Sequence, residues 1–233
     1  MIEIDNVVKE FGRKGVINGI DLRIEKGDYL VILGPNGAGK TTLIKLISTL
    51  LRPSSGTIKI DGYDVKEDGV EARRRIGVLG HVSYLYDELS ALENLRFYAK
   101  MYGVNLGHDE IREILSKVKL AHRMNDLVGT YSRGMKQRLA IVRAIIHKPK
   151  ILLLDEPYTG LDLNGRKILT EMLREFQKQG ITTVMVTHDI ERGYELGNRL
   201  AVIIDGEIAA DLRKEDMSIE DFKNRYAGLM GAT

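Results

Sequence analysis

Hydrophobic and polar residues alternate along the first thirty positions of the chain. The apolar positions of this pattern are Ile2, Ile4, Val7, Ile20, Leu22 and Ile24. A period of two is typical of strands that bury one face, and we expect turns at Gly12, Gly15 and Gly27. The pattern therefore predicts an N-terminal β portion whose strands run antiparallel.

Short apolar runs recur further along the chain, at residues 29–33, 57–60, 76–79, 151–154, 182–186 and 200–204. The run at 151–154 has no polar residue, which is typical of a strand buried on both faces of a sheet. Helical patterns separate several of the runs, and strands that alternate with helices indicate a mainly parallel α/β sheet. The dipeptides Asp61-Gly62 and Asp205-Gly206 favour tight turns between strands.

Between residues 82 and 146 the apolar period changes from that of strands to that of helices. Ser90 and Glu93 form the sequence pattern of a capping box, and Gly103 is placed to end the helix that it begins. Two further amphipathic stretches follow, near residues 111–118 and 139–146. We expect residues 82–146 to form a helical subdomain, inserted between the two parts of one core, residues 1–81 and 147–210.

Besides a short helix between the apolar runs at 182–186 and 200–204, two more helices are expected in the last third of the chain. One carries apolar residues from Ile168 to Phe176 and should end at Gly180. The other lies in the C-terminal segment, residues 211–233, where Ser218 and Asp221 can cap it. The whole chain is thus expected to form one domain with an inserted helical part and a C-terminal helix.

The amino-acid composition limits the classes of function that the chain can have. Of 233 residues, 43% are hydrophobic and 29% are charged, which is typical of a globular protein with a sizeable core. Lys and Arg number 35 against 33 Asp and Glu, and this near balance gives no reason to expect a nucleic-acid partner. The lack of cysteine excludes disulfides and thiol catalysis. We find no signal peptide and no apolar run near 18 residues, so we expect the chain not to span a membrane by itself.

The most informative chemistry lies in nine consecutive residues. They are Gly34, Pro35, Asn36, Gly37, Ala38, Gly39, Lys40, Thr41 and Thr42. Their spacing fits the P-loop pattern, in which glycines let successive N–H groups converge on an anion. Lys40 can neutralise the terminal phosphates, and the Thr41 hydroxyl can hold Mg²⁺. Because a strand-like run precedes the loop and a helical stretch follows it, the sequence predicts a nucleoside triphosphate site.

Two adjacent carboxylates end the apolar run at 151–154. Ligands of open α/β folds bind beyond the carboxyl ends of the strands, so Asp155 is placed to hold Mg²⁺ or its waters. Glu156 can then act as a general base on an attacking water. His188 ends another strand at the same edge, where an imidazole can hydrogen-bond the γ-phosphate.

A polar segment, residues 131–138, precedes the predicted helix that ends near residue 146. Ser132 and Gly134 lie at the start of this helix, so free N–H groups and a hydroxyl can face an anion there. The same residues are equally compatible with an ordinary helix start. At this point both interpretations stay open.

These motifs together resemble those of the ATP-binding subunits of ABC transporters. Residues 34–41 are similar to the Walker A loop, and residues 151–156 are similar to Walker B with the glutamate that follows it. Residues 131–135 resemble the family signature, of which Ser132 and Gly134 are kept. The resemblance implies a P-loop NTPase fold with a RecA-like core, and it implies ATP and Mg²⁺ as cofactors.

The resemblance runs from residue 2 to about residue 210, with the motifs in family order. It implies roles for three further residues. Asp162 would end the D-loop, His188 would be the switch histidine, and Phe11 would stack on adenine. Lys40 and Glu156 would take part in catalysis, so we expect an ATPase.

The family also implies partners. Two subunits would dimerise head to tail around two ATP molecules, so that Ser132 and Gly134 of one chain contact the phosphate held at Lys40 of the other. ATP would close the dimer and hydrolysis would open it, which is coupling by differential affinity for two states. Integral membrane permease subunits would follow this motion. We therefore expect a homodimer with ATP, peripheral on the cytoplasmic face of the cell membrane.

The sequence departs from the family pattern in two places. Arg133 and Met135 stand where the signature usually has Gly and Gln. Because Ser132 and Gly134 are kept, we expect activity to remain. His81 stands where the family places a glutamine that senses Mg²⁺. Since Mg²⁺ prefers oxygen ligands, His81 would act through water or a hydrogen bond, and the alternative is that it only fills space.

Within the family, residues 80–81, 89–98 and 155–165 look like those of the haem-exporter ATPase of cytochrome c maturation. Residues 132–138 are similar both to that branch and to related multidrug-type exporters. The resemblance therefore implies export through separate membrane subunits. An alternative is a soluble ABC-type ATPase of an assembly complex, such as one for iron–sulfur cluster biogenesis. A P-loop kinase is disfavoured by the signature-like segment and by Glu156.

Overall fold

Two β-sheets organise the residues that the computed structural model describes, residues 1–80 and 82–231. The strands are β1 (Ile2–Phe11), β2 (Lys14–Ile24), β3 (Tyr29–Leu33), β4 (Ser55–Ile60), β5 (Tyr63–Asp64), β6 (Ile76–Leu79), β7 (Ile151–Asp155), β8 (Thr182–Val186), β9 (Arg199–Ile204) and β10 (Glu207–Arg213). The helices are α1 (Lys40–Ile47), α2 (Gly69–Arg74), α3 (Ala91–Met101), α4 (His108–Lys117), α5 (Arg133–Ile145), α6 (Leu163–Lys178), α7 (Ile190–Leu196) and α8 (Ile219–Gly231).

The first sheet is antiparallel, as the N-terminal alternation predicts. Its strand order is β2-β1-β4-β5. Ile2 lies opposite Ile24, and Ile4 lies opposite Leu22, so the apolar residues of the two longest strands share one buried face. The alternation of buried and exposed positions thus sets the register of this sheet.

The turn predicted at Gly15 is wrong. The β1–β2 hairpin turns at Gly12 and Arg13, while Gly15 lies inside β2 and pairs with Glu10. Gly12 adopts a φ of +62°, a left-handed conformation that lets the chain reverse there. Because the chain has already reversed, Gly15 is left in extended pairing.

The second sheet confirms the predicted mainly parallel α/β architecture. Its order is β10-β9-β3-β8-β7-β6, in which only β10 runs antiparallel to its neighbour. Every residue of β3, β7 and β8 is buried, because both faces of the sheet are covered. The carboxyl ends of these three central strands therefore meet at one edge.

Successive residues of the central strands pack into different cores. On β3, Leu30 and Ile32 join the apolar face of the antiparallel sheet and helix α1. Val31 and Leu33 pack on the opposite face, with residues of α5, α6 and α8. Helix α1 is thereby fixed over the parallel sheet directly behind the phosphate loop.

A third apolar cluster lies among α3, α4 and α5, around Leu95, Ile111 and Leu139. The capping box predicted for α3 is confirmed. The Ser90 hydroxyl accepts from the Glu93 N–H at 3.2 Å, and the Glu93 carboxylate accepts from the Ser90 N–H at 2.8 Å. This reciprocal pair satisfies two otherwise unpaired groups at the helix start.

The C-terminal helix begins later than the predicted segment 211–233. Residues 211–213 extend β10, where Asp211 pairs with Ala201 and Arg213 pairs with Arg199. The helix itself starts at Ile219, after the predicted cap at Ser218, and it buries Phe222 against the sheet. Strand β5 and helix α2 had no clear sequence signal, since β5 has two residues and α2 only six.

Candidate functional site

The loop between β3 and α1 has a backbone that only glycine allows at two positions. A Cβ on Gly34 would lie 2.1 Å from the Ile203 carbonyl oxygen. Gly39 has a φ of +104°, and its Cβ would lie 2.7 Å from the Val16 carbonyl oxygen. The backbone of the neighbouring strands therefore lies in close contact with the loop, and glycine, which lacks a Cβ, fits in the space that remains.

Lys40 begins α1 and folds its side chain back over the loop. Its Nζ donates to the carbonyl oxygens of Gly34, at 2.8 Å, and Pro35, at 2.7 Å. The side chain is buried, and this burial lowers the pKa of Lys40, while the nearby carboxylates of Glu156 and Asp155 oppose the shift. The amine thus lies between the loop and the two acids. Thr42 follows, half-buried, in the first turn of α1.

Thr41 and Asp155 meet where α1 starts and β7 ends. The Thr41 hydroxyl donates to Asp155 Oδ1 at 3.1 Å, and Asp155 is buried. Mg²⁺ takes oxygen ligands and is commonly bound by one carboxylate together with substrate phosphates. A hydroxyl and a carboxylate side by side at a phosphate loop fit that preference. These two residues could hold the metal.

Glu156 follows Asp155 directly and has a strained backbone. Its φ is +50°, which costs energy for a residue with a long side chain. The Glu156 N–H donates to the Val186 carbonyl at 3.0 Å, so the end of β8 holds this conformation. The carboxylate accepts from His188 Nδ1 at 2.9 Å, and its second oxygen lies 3.5 Å from the Thr187 hydroxyl. The glutamate and histidine predicted from separate strand ends are thus in contact.

The start of α5 faces the segment that follows Glu156. Ser132 caps the helix by accepting from the Met135 N–H at 3.3 Å. A Cβ on Gly134 would meet Gly160 and Leu161 at 3.9 Å, which is ordinary contact. The Asp162 carboxylate caps the next helix, α6, by accepting a backbone N–H at 2.7 Å. Gly134 therefore lies against the predicted D-loop of its own chain, and Ser132 caps the helix that carries it.

A cleft of about 150 Å³ separates α5 from the end of β7. Its lining includes the acidic residues Asp155 and Glu156 on one side, and Arg133, Lys136 and Gln137 on the other. The cleft thus joins the two carboxylates to the first turns of the signature helix. Opposite charges line its two sides.

Phe11 lies at the end of β1 with 49% of its surface exposed. The Lys9 amine is 5.0 Å from the centre of its ring. A half-exposed ring beside a cation is available to stack on a flat ligand. His81, the other predicted ligand-sensing residue, lies outside the described residues.

Sequence reasoning missed two residues that support the site. Gln137 donates to the Pro157 carbonyl at 3.0 Å, and the Thr187 hydroxyl accepts from the Asp189 N–H at 3.1 Å. Helical spacing could have found Gln137, because it lies one turn after Arg133 on the same face. Thr187 gave no signal beyond its place before His188.

The fold and the geometry define a P-loop ATPase of the α/β class. The family model described as "ABC transporter" matches residues 17–159. The chain belongs to the ABC transporter family, and it is an ATP-binding ATPase subunit of that family.

Curated relatives cover most of the chain. The linearmycin resistance ATP-binding protein of Bacillus subtilis is 37% identical over 93% of this chain and 70% of its own length. The daunorubicin resistance ATP-binding protein of Streptomyces coeruleorubidus is 36% identical over 99% of this chain and 76% of its own length. The glutamine transport ATP-binding protein of Escherichia coli is 39% identical over 91% of this chain and 90% of its own length.

Solved structures agree with this placement. An ATP-binding subunit of an ABC transporter superposes with a TM-score of 0.89 at 26% identity, covering 97% of this chain and 99% of that one. A dimeric post-hydrolysis state of an ATP-binding cassette, bound to ADP and Pi, has a TM-score of 0.82 at 30% identity, with coverage of 92% and 99%. Within residues 1–80 and 82–231, no helix has the length and apolar character needed to cross a membrane.

Proposed function

We propose that this chain hydrolyses ATP for an ABC-type exporter, as a dimer peripheral to the inner face of the cell membrane. The observation that carries the proposal is the Glu156 carboxylate, held by His188 at 2.9 Å beside the phosphate loop. Two relatives whose names state resistance to linearmycin and daunorubicin support export. A third relative, named for glutamine transport, has a similar identity, and all three names describe transport or resistance ATP-binding proteins.

The phosphate loop and α1 bind the triphosphate. The Lys40 amine, now shared by two loop carbonyls, can turn to the terminal phosphates, whose charge it neutralises. Thr41 and Asp155 supply oxygen ligands for Mg²⁺, which when bound neutralises charge on the phosphates. Phe11 stacks on the adenine ring.

Glu156 acts as the general base toward the attacking water. A carboxylate can only accept, so the His188 Nδ1 that contacts it carries a hydrogen. His188 can then donate to a phosphate only from Nε2, which requires the doubly protonated ring. The contact orients Glu156, and the charge state of His188 decides whether it also contacts the nucleotide.

The complete site needs two chains. Ser132 is exposed at the start of α5, and Gly134 in the same turn has no Cβ to block an approaching phosphate. In a head-to-tail dimer these groups contact the ATP held at Lys40 of the other copy. A structural relative described as a dimeric post-hydrolysis state bound to ADP and Pi supports the dimer.

An exposed aromatic patch is proposed to contact the membrane subunits. The patch consists of the exposed residues Tyr84, Tyr86 and Phe97 and the half-buried Tyr98. The rings of Tyr86, Phe97 and Tyr98 pack together with centroids 5.2 to 6.3 Å apart. Exposed clusters of large apolar side chains mark interaction sites. We further propose that residues 82–146, which carry the patch, act as one subdomain that passes motion from the nucleotide to the membrane.

The exported compound is proposed to be of the kind that drug-resistance transporters handle. The names of the linearmycin and daunorubicin relatives support this class. The resemblance to the haem-exporter ATPase stays a prediction, and a transport assay with haem would test it.

Replacement of the base tests the catalytic proposal. Glu156→Gln should bind ATP with unchanged affinity, lose about 10²- to 10⁴-fold in hydrolysis rate, and accumulate as a dimer with ATP and Mg²⁺. Glu171→Gln on the exposed face of α6 is the matched control and should behave as wild type. Undiminished phosphate release, or a monomer on size-exclusion chromatography with ATP, would contradict the proposal.

A pull-down from native membranes tests the exporter proposal. Tagged protein should retain a polytopic membrane partner, and Phe97→Ser should weaken this retention while leaving ATP binding unchanged. Phe97 is 41% exposed, so its replacement should be tolerated by the fold. Recovery of soluble partners alone would instead favour the assembly ATPase.

A further inference from the structure

Arg133 occupies an unusual electrostatic position. It is the first residue of α5, where the positive end of the helix dipole disfavours a cation. Within residues 1–80 and 82–231 its guanidinium has no hydrogen-bond or ion-pair partner. An exposed, unpaired cation at a helix start contributes little to stability, so some other interaction should account for its place.

The Arg133 side chain lies directly on Gly160. A Cβ added to Gly160 would be 2.4 Å from Arg133 Nε and 2.7 Å from its Cδ. A side chain at residue 160 would therefore force the Arg133 side chain to shift. Gly160 also has a φ of +79°, so its backbone is held in a conformation that glycine adopts without strain.

Gly160 belongs to the short segment, residues 157–161, that leads from Glu156 to α6. The Thr159 N–H donates to the Glu156 carbonyl at 3.1 Å, which ties this segment to the proposed base. Gln137, one turn after Arg133, donates to the Pro157 carbonyl at 3.0 Å. Two side chains of α5 thus hold the segment from one side, at its first residue and near its end.

We propose that Arg133 is a positioning residue for ATP hydrolysis. Packed on Gly160, it fixes residues 157–161 against α5 and so sets the orientation of the Glu156 carboxylate. The inference rests on the proposed role of Glu156. It predicts an effect on the chemical step, because the contacts of Arg133 lie after Glu156 in the chain and not at the phosphate loop.

Three variants and one double variant test this role. Arg133→Ala should lower kcat about threefold to tenfold with unchanged KM for ATP and an unchanged unfolding midpoint. Arg133→Lys keeps the charge and most of the aliphatic stem, so it should restore most of the rate. Gly160→Ala should displace the Arg133 side chain and lower kcat by a similar factor.

The double variant Arg133→Ala/Gly160→Ala separates the contact from backbone strain. The strain of alanine at a φ of +79° is present in both backgrounds, so it cancels in the double-mutant cycle formed by the wild type, the two single variants and the double variant. We expect Gly160→Ala to cost much less in the Arg133→Ala background than in wild type. The inference would be overturned if Gly160→Ala lowered kcat by the same factor in both backgrounds, or if Arg133→Ala had the wild-type kcat. It would also be overturned if Arg133→Ala raised the KM for ATP by the same factor by which it lowered kcat.

Glu156→Gln distinguishes the two possible failures. If Glu156→Gln hydrolyses ATP normally, the proposed function of the site is wrong. If it is inactive and the Arg133–Gly160 cycle is additive, only the positioning role of Arg133 is wrong.

Discussion

We expect the protein to lose stability between pH 7 and pH 5 because His147 is kept neutral in the folded state. Its Nε2 lies 3.0 Å from the Ile76 carbonyl, which can only accept, so Nε2 carries the hydrogen. Nδ1 is buried without a partner among the described residues. Burial lowers the pKa of His147 to about 4; the bond to Ile76 opposes the shift, and the charge of Arg143 adds to it.

The sign follows from proton uptake. The unfolded chain protonates His147 near its usual pKa of 6.5, whereas the folded chain does so only near 4. Between these values the unfolded state binds the extra proton, so stability is present above pH 6.5 and falls as the pH drops toward 4. At pH 5 the full linkage amounts to about 2 kcal/mol, and the partial exposure of the ring reduces this to about 1 kcal/mol.

Chemical denaturation at pH 7 and pH 5 measures this term. His147→Gln keeps an N–H for the Ile76 carbonyl but has no titrating group. Between pH 7 and pH 5 its free energy of unfolding should therefore fall by about 1 kcal/mol less than that of wild type. His122→Gln, which removes an exposed histidine, should show the wild-type pH dependence. If wild type and His147→Gln lost the same free energy between the two pH values, the reasoning would be refuted.

Two predictions concern nucleotide affinity. Lys40→Ala should weaken ATP binding by about tenfold or more, because it removes a charged partner of the phosphates. The control Lys45→Ala, on the exposed face of the same helix, should bind ATP as wild type does. Equal dissociation constants of Lys40→Ala and wild type for ATP would contradict this role. Phe11→Ala should weaken ATP binding about tenfold, because the adenine ring loses its stacking partner. Binding of inorganic tripolyphosphate, which has no base, should stay unchanged. An equal loss of affinity for both ligands would argue against stacking.

Local patterns in the sequence sufficed for much of the fold. Alternation at Ile2 and Ile4 predicted a strand with one buried face, and the continuous run before Asp155 predicted a strand buried on both faces. The P-loop could be found because its spacing is short and its chemistry demands glycine and lysine together. Each of these signals is contained within about ten residues.

Interactions between distant parts of the chain could not be predicted in the same way. Asp28 is buried and pairs with Arg199 and Arg213, which lie 171 and 185 residues further along. The packing of Arg133 on Gly160 depends on the path of two segments that meet only in the folded chain. Sequence periodicity carries no information about which elements pack together, so such pairs emerge only from the structure.

The central claim is that each ATP is hydrolysed between two chains. It can be tested with two inactive variants, Glu156→Gln and Gly134→Asp. The second adds a carboxylate to the first turn of α5, where a Cβ meets its own chain only at ordinary contact distance. If the site is shared, a mixed dimer has one complete site, with the base from one chain and the signature from the other. Random pairing of an equal mixture should then restore up to about a quarter of wild-type phosphate release. If each chain holds its whole site, the mixture should stay as inactive as its parts, and that result would contradict the account.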